Sequence, residues 1–160
     1  MLVEHPYGIR YLFTALSVAP VLFEQLLDGL TEAEADLRPD AERFTIREIV
    51  AHLAEWDDVF LGRMKAICAQ EHPTLEGYDE GELAIEHNYA EKDWLQQTQL
   101  FRERRAHIVD FLRERSPQEW SRTALRPEIG VVTLEAQAVL IPLHDSYHLA
   151  QIVAWRRSSK

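Results

Sequence analysis

The residues best equipped for chemistry are two histidines four apart, in the run His144-Asp145-Ser146-Tyr147-His148. Positions i and i+4 of a helix share one face, with Cβ atoms roughly 5–6 Å apart. Two imidazoles leaving that face can converge on one ion through metal–nitrogen bonds of about 2.0–2.1 Å. Two ligands make a weak site, so a third donor must come from elsewhere in the chain. His52 is the best candidate, because it sits in Val50-Ala51-His52-Leu53-Ala54 between apolar neighbours. A buried imidazole without a partner costs free energy, and a shared metal would supply one. Gln151, Ile152 and Trp155 continue the face that carries the pair. Taken singly, these features also fit plainer explanations: an incidental histidine pair, and a hydrogen-bonded core histidine. The run HDSYH further resembles the zincin pattern H-E-x-x-H with aspartate for glutamate. Aspartate is one methylene shorter, and only 12 residues follow His148, which leaves little room for a downstream ligand.

These side chains need helices to position them, and four long segments have helical periodicity. The first spans about Gly8 to Gly29, with Leu12, Leu16, Ala19, Phe23, Leu26 and Leu27 on one face. Pro20 predicts a kink or break near Ala19, and Gly29 a stop. Thr31-Glu32-Ala33-Glu34 predicts a short capped helix before Pro39. The second long helix opens at Thr45, with Glu48 completing a capping box and Phe44 facing Ile49 as a hydrophobic staple. Ile46, Ile49, Leu53, Trp56, Phe60, Met64 and Ile67 give it a core stripe, ending near Gln70. A third helix is expected over roughly Glu82 to Arg115, although the pattern before Asp93 is weak. Ser116-Pro117-Gln118-Glu119 predicts a further short helix, and Thr123 to Val132 a loop or small extended excursion. Thr133 caps a fourth helix running to about Arg157, with Arg156 and Arg157 at its negative end. Four long helices without a convincing alternating strand predict an all-α, up-and-down bundle. At 160 residues the chain fits a single domain, residues 1–160.

Bulk composition narrows the function classes. The charge balance is 17 − 27 = −10, the wrong sign for a phosphate-binding nucleic-acid protein or a partner of acidic membranes. The one dense basic run, Arg102-Glu103-Arg104-Arg105, reads as a solvated helix face. A single cysteine, Cys68, excludes an internal disulfide and suits a reducing compartment. The opening MLVEHPYGIR lacks the features of a secretory leader, and no apolar window reaches membrane-spanning length. A cytoplasmic location is expected. Cys68 is read as a small core filler, and His5, His72, His87 and His107 as surface histidines.

Two blocks together are similar to the DinB-like superfamily of four-helix metalloproteins. One is Phe44-Thr45-Ile46-Arg47-Glu48-Ile49-Val50-Ala51-His52-Leu53-Ala54-Glu55-Trp56, where a histidine follows a capped helix start. The other is His144-Asp145-Ser146-Tyr147-His148-Leu149-Ala150-Gln151-Ile152, resembling the family's H-x-x-x-H-x-x-Q-I segment. Leu26 to Pro39 also has the family's look. The resemblance implies an up-down-down-up four-helix bundle with short accessory helices, and a three-histidine site at one end of it. It implies that His52, His144 and His148 bind a divalent metal, usually zinc or nickel, and that the protein is a homodimer. Pro142, two residues before His144, departs from a regular helix, and Trp56 and Trp155 are bulky beside the expected site. Relatives of known activity include bacillithiol transferases and mycothiol-dependent isomerases, and others carry only the name metal-dependent hydrolase, so the fold leaves the reaction open.

Three neutral imidazoles leave a divalent ion with its charge uncompensated and an open position, suited to activating water or a thiolate. The first expectation is therefore a metal-dependent hydrolase or thiol S-transferase acting on a small-molecule substrate or low-molecular-weight thiol. Asp145, Glu55 and Gln151 are candidates for orienting the ligands, against the plainer reading of Asp145 and Glu55 as solvent-facing charge. The alternatives are a non-enzymatic metal-binding protein of stress response or structure, and a cofactor-free bundle with packed histidines.

Overall fold

The computed structural model describes residues 2–158. After a 3-10 turn at Leu2–Glu4 the helices are α1 (Pro6–Leu27), α2 (Glu32–Ala35), α3 (Ile46–Ala69), α4 (Glu80–Glu86), α5 (Trp94–Arg113) and α6 (Leu134–Ser158). Two short antiparallel strands, β1 (Thr123–Arg126) and β2 (Gly130–Thr133), form a hairpin before α6, with Thr123 opposite Thr133 and Arg126 opposite Gly130. The excursion expected there is thus extended, and Gly130 supplies the turn with φ +90°.

The four long helices α1, α3, α5 and α6 make the bundle, and side-chain contacts fix their directions. Val3 N–H donates to Glu135 at the start of α6, while Arg156 at its end donates to the Leu26 and Asp28 carbonyls, so α1 and α6 run parallel. Trp155 near the end of α6 donates to Phe44 O, just before α3, so α3 runs the other way. Arg47 reaches Lys92 O and Arg104 reaches Ala54 O, so α5 is parallel to α3. Arg113 lies over Phe13 and Phe23 meets Phe101, so α5 opposes α1. The order is up-down-down-up.

Local sequence chemistry explains the helix ends. Thr45 accepts from Glu48 N–H at 3.2 Å while Glu48 accepts from Thr45 N–H at 2.7 Å, a closed capping box. Thr31 and Glu34 repeat it on α2. Gly29, at φ +68°, turns the chain out of α1. Ser116 and Glu119 do not open an α-helix: the Glu119 carboxylate accepts from Ser116 N–H at 2.7 Å, and a 3-10 turn follows at Glu119–Ser121.

The predicted helix from Glu82 to Arg115 is in fact two. Asn88 adopts a left-handed conformation at φ +51°, which asparagine tolerates better than most residues, and this ends α4. Asp93 then opens α5 by accepting from Leu95 and Gln96 N–H. Leu95, expected on the apolar face, is exposed.

Neither internal proline ends its helix. Pro20 sits within α1 and Pro142 within α6. Each removes one N–H and leaves the carbonyl four residues earlier without its helical donor. For Pro20 that carbonyl is Leu16 O, and the guanidinium of Arg105 reaches it at 3.4 Å. Near Pro142, Ser146 Oγ donates to Pro142 O at 2.7 Å, a side chain bonding back to the carbonyl four residues earlier.

The apolar core falls into two parts. One packs Leu12, Leu16, Phe60, Met64, Ile108, Leu112 and Ile141, and the other Phe23, Leu27, Ile49, Leu53, Phe101 and Ile152. Between them lies a buried polar layer: His52 and Asp57 from α3, Arg105 from α5, Asp145 and His148 from α6. No helix of the described residues is long and apolar enough to cross a membrane.

Candidate metal centre

His52 lies in the second turn of α3, and its ring is fully buried. The Trp56 indole stacks on it at 4.9 Å between centroids and Phe44 packs beside it at 5.4 Å. From α6, one helical turn apart, His144 and His148 project toward it. The three residues offer ligand atoms that all lie within 4.8 Å of one another. His144 Nε2 is 3.0 Å from His52 Nε2 and 3.2 Å from His148 Nε2. Ligand nitrogens on one tetrahedral ion, with bonds of 2.0–2.1 Å, stand about 3.3 Å apart. The spacing is that of a ligand set. It lies one to two turns inside the start of α3, between the two core halves rather than at the outermost turn.

Proton placement supports the same reading. Gln151 Nε2 donates to Phe44 O at 3.5 Å, which turns its Oε1 toward His148 Nδ1 at 3.2 Å. An amide oxygen only accepts, so His148 Nδ1 carries the proton and Nε2 presents a lone pair. Burial pushes His148 down to about 4, and burial with neighbouring His148 pushes His144 down to about 3. Burial followed by the two other imidazoles holds His52 well below its ordinary range. All three are therefore neutral at pH 7 and have lone pairs to give. Three facing nitrogens cannot satisfy one another by hydrogen bonds alone, since both contacts use the single in-plane site of His144 Nε2. His52 Nδ1 is also buried without a hydrogen-bond partner. A divalent cation fits this donor set.

Open space adjoins the cluster at His148. A cavity of about 210 Å³ is lined there by Phe44, Tyr147, His148, Gln151 and, at its rim, Arg43 and Glu80. Arg43 lies 5.9 Å over the Tyr147 ring. A larger cleft of about 400 Å³ lies against α3 and α5 but holds none of the three histidines. Glu55, one of the expected orienting residues, faces that cleft and pairs with His87 instead. Of the orienting candidates, Gln151 alone touches a histidine of the cluster.

Two sequence readings need correction. Asp145 and Arg105 are not solvated: each side chain is 2% exposed. Arg105 donates to Asp57 through Nε and Nη2, both at 2.9 Å, and to Asp145 through Nη1 at 2.6 Å and Nη2 at 2.9 Å. Burial opposes its charge, but the two carboxylates more than restore it. Burial pushes Asp57 up to about 7 despite this partner. The run Arg102–Arg105 looked uniformly exposed because glutamate interrupts it, yet the turn of about 100° per residue along the helix brings residue 105 inward. The remaining histidines, His5, His72, His87 and His107, are exposed as expected. Cys68 is half-buried, and burial pushes its thiol up, away from nucleophilic character.

Residues 15–152 match the model of the DinB superfamily. The chain belongs to that superfamily. This DinB protein is 26% identical over 135 residues to "Putative metal-dependent hydrolase" of Oceanobacillus iheyensis, covering 84% of this chain and 78% of the relative. It is 24% identical over 143 residues to "Putative metal-dependent hydrolase YfiT" of Bacillus subtilis, covering 89% and 80%. The solved structure of YfiT, described as an unusual four-helix bundle topology, superposes with a TM-score of 0.90 at 22% identity, over 97% of this chain and 89% of that one. A mycothiol-dependent maleylpyruvate isomerase variant gives a TM-score of 0.75 at 14% identity, over 95% of this chain and 62% of that longer one. At these identities the two structures speak for the DinB fold alone.

Proposed function

We propose that this protein is a divalent-metal-dependent enzyme whose ion, zinc or nickel, is held by His52, His144 and His148. The observation that carries the reading is the convergence of three neutral Nε2 atoms at metal-ligand spacing. The names of the two curated relatives support it for hydrolysis. A divalent ion with three neutral ligands supplies Lewis acidity, lowering the pKa of a coordinated water or thiol toward neutrality. The protein's own residues do the rest. Gln151 fixes the tautomer of His148. Trp56 and Phe60 cover His52 and His144 with aromatic surface, which keeps bulk water from that side. The cavity beside His148 admits a small molecule, with Arg43 and Glu80 at the rim to meet its polar groups.

Water and a low-molecular-weight thiol are the two reactants this site suits, and the isomerase of related fold is what favours the second. The test has two stages. Elemental analysis of wild type and His148→Ala comes first, with near-stoichiometric metal expected in the former and a large loss in the latter. Equal contents would remove His148 from the site. Metal-loaded protein is then assayed on ester, amide, epoxide and thiol-transfer substrates, with and without added thiol. Turnover that disappears on chelation supports the enzyme. Bound metal with no turnover across the panel would leave a metal-binding protein without catalysis.

A further inference from the structure

We infer that Arg105, clamped between Asp57 and Asp145, is a positioning residue for the metal-binding imidazole of His144. The inference rests on the metal reading and concerns what keeps that site in shape. His148 is oriented by Gln151, and His52 lies between Trp56 and Phe44. Both hydrogen-bond-range contacts of the His144 ring use Nε2, so its second nitrogen takes no part in holding it. The backbone beneath it is also weakened, because Pro142 has no N–H to give the carbonyl of Ala138. A ligand on such a turn needs an anchor from the side.

Asp145 is that anchor. It follows His144 directly, and a step of one residue along a helix rotates the next side chain by about 100°. His144 therefore faces α3 while Asp145 faces α5. Arg105 grips Asp145 with two donors and Asp57 of α3 with two more. A planar guanidinium fork fixes angle as well as distance, which a point charge does not. The same Nη1 reaches Leu16 O, the carbonyl that Pro20 leaves free. One side chain thus ties α6, at the residue beside the ligand, to α1, α3 and α5 together. Stability alone gives a weak reason for it: apolar residues of similar volume commonly replace a buried ionic triad with no loss. A geometric role explains why charges stand where aliphatic side chains would fill the space.

The experiment measures zinc affinity by competition with a chromophoric chelator, melting temperature of the metal-free protein, and the visible spectrum of the cobalt(II) form. Asp145→Asn should weaken zinc binding on the order of tenfold or more, as loss of outer ligand support does, and should alter the cobalt bands. Asp57→Asn also takes a partner from Arg105 and should lower the melting temperature, yet leave zinc affinity within about threefold, because Asp145 keeps its grip. The triple variant Arg105→Met, Asp57→Leu, Asp145→Leu removes all charge from the layer. It should melt near wild type and still bind zinc about tenfold more weakly. It also serves if Asp145→Asn fails to fold. Wild-type affinity in Asp145→Asn, or in the triple variant, overturns the positioning role alone. No zinc binding by wild type overturns the metal reading, and this inference with it.

Discussion

Gln151→Leu isolates one hydrogen bond of the site without touching a ligand. The wild-type amide accepts from His148 Nδ1 at 3.2 Å. Its other end donates to Phe44 O, which Trp155 also serves at 2.9 Å, so the carbonyl keeps a donor in the variant. The loss is therefore confined to His148. A buried N–H left without an acceptor costs about 1–3 kcal/mol. The imidazole escapes part of that cost by moving its proton to Nε2, which then points N–H at the ion. Only the metal-free protein can make that escape, so metal binding weakens by the part of the cost it sheds, and 1–3 kcal/mol is roughly 5- to 150-fold in dissociation constant. Competition against a chromophoric chelator at pH 7.5 reads that change. Long-range nitrogen NMR of metal-free protein reads the tautomer directly, with the proton expected on His148 Nδ1 in wild type and depleted there in the variant. Gln151→Glu keeps an acceptor at the same reach and should bind metal more tightly than Gln151→Leu. Unchanged zinc affinity together with an unchanged tautomer in Gln151→Leu would refute the assignment of Gln151 as the group that sets His148.

Metal-free protein should lose stability on acidification from pH 6.5 toward 4. The folded state holds His148 near 4 and His144 near 3, so over that window the unfolded chain binds more protons and is favoured. Each net proton is worth about 1.4 kcal/mol per pH unit. Asp57, raised to about 7, works in the opposite direction by binding a proton in the folded state, and it offsets part of the slope. Urea melts at pH 6.5 and 5.0 in chelator measure the difference, and a flat profile would contradict the burial of neutral imidazoles. Thr45→Ala should cost about 1 kcal/mol by opening the capping box at the start of α3, read as a lower urea midpoint at constant slope.

The fold was legible where local chemistry and periodicity agreed. The box at Thr45 and Glu48, the stop at Gly29 and the stripe from Ile46 to Ile67 all sit as their spacing requires. The break at Asn88 was harder to read, because a left-handed residue leaves no periodic trace and the segments on either side are each helical. The His144–His148 pair was visible because helix geometry alone brings i and i+4 together. His52 could be placed beside it only through apolar flanks and family likeness, since no local rule sets two helices side by side. The charged triad went unseen for the same reason. Arg105 lies among charges in sequence and Asp145 between polar neighbours, so each looked solvated until its partner on another helix was known. A weak signal existed: position 105 falls in step with Phe101, Ile108 and Leu112 along α5.

A core split by a charged layer also restricts how the helices can be threaded against each other. Aliphatic surfaces are forgiving, and one leucine row meets another nearly as well after a slip of one turn, about 5.4 Å. Such a slip of α5 would strand a guanidinium among hydrocarbon and leave two carboxylates facing nothing. The layer thus acts as a notch in an otherwise smooth key, accepting one alignment of the four rods and rejecting its neighbours.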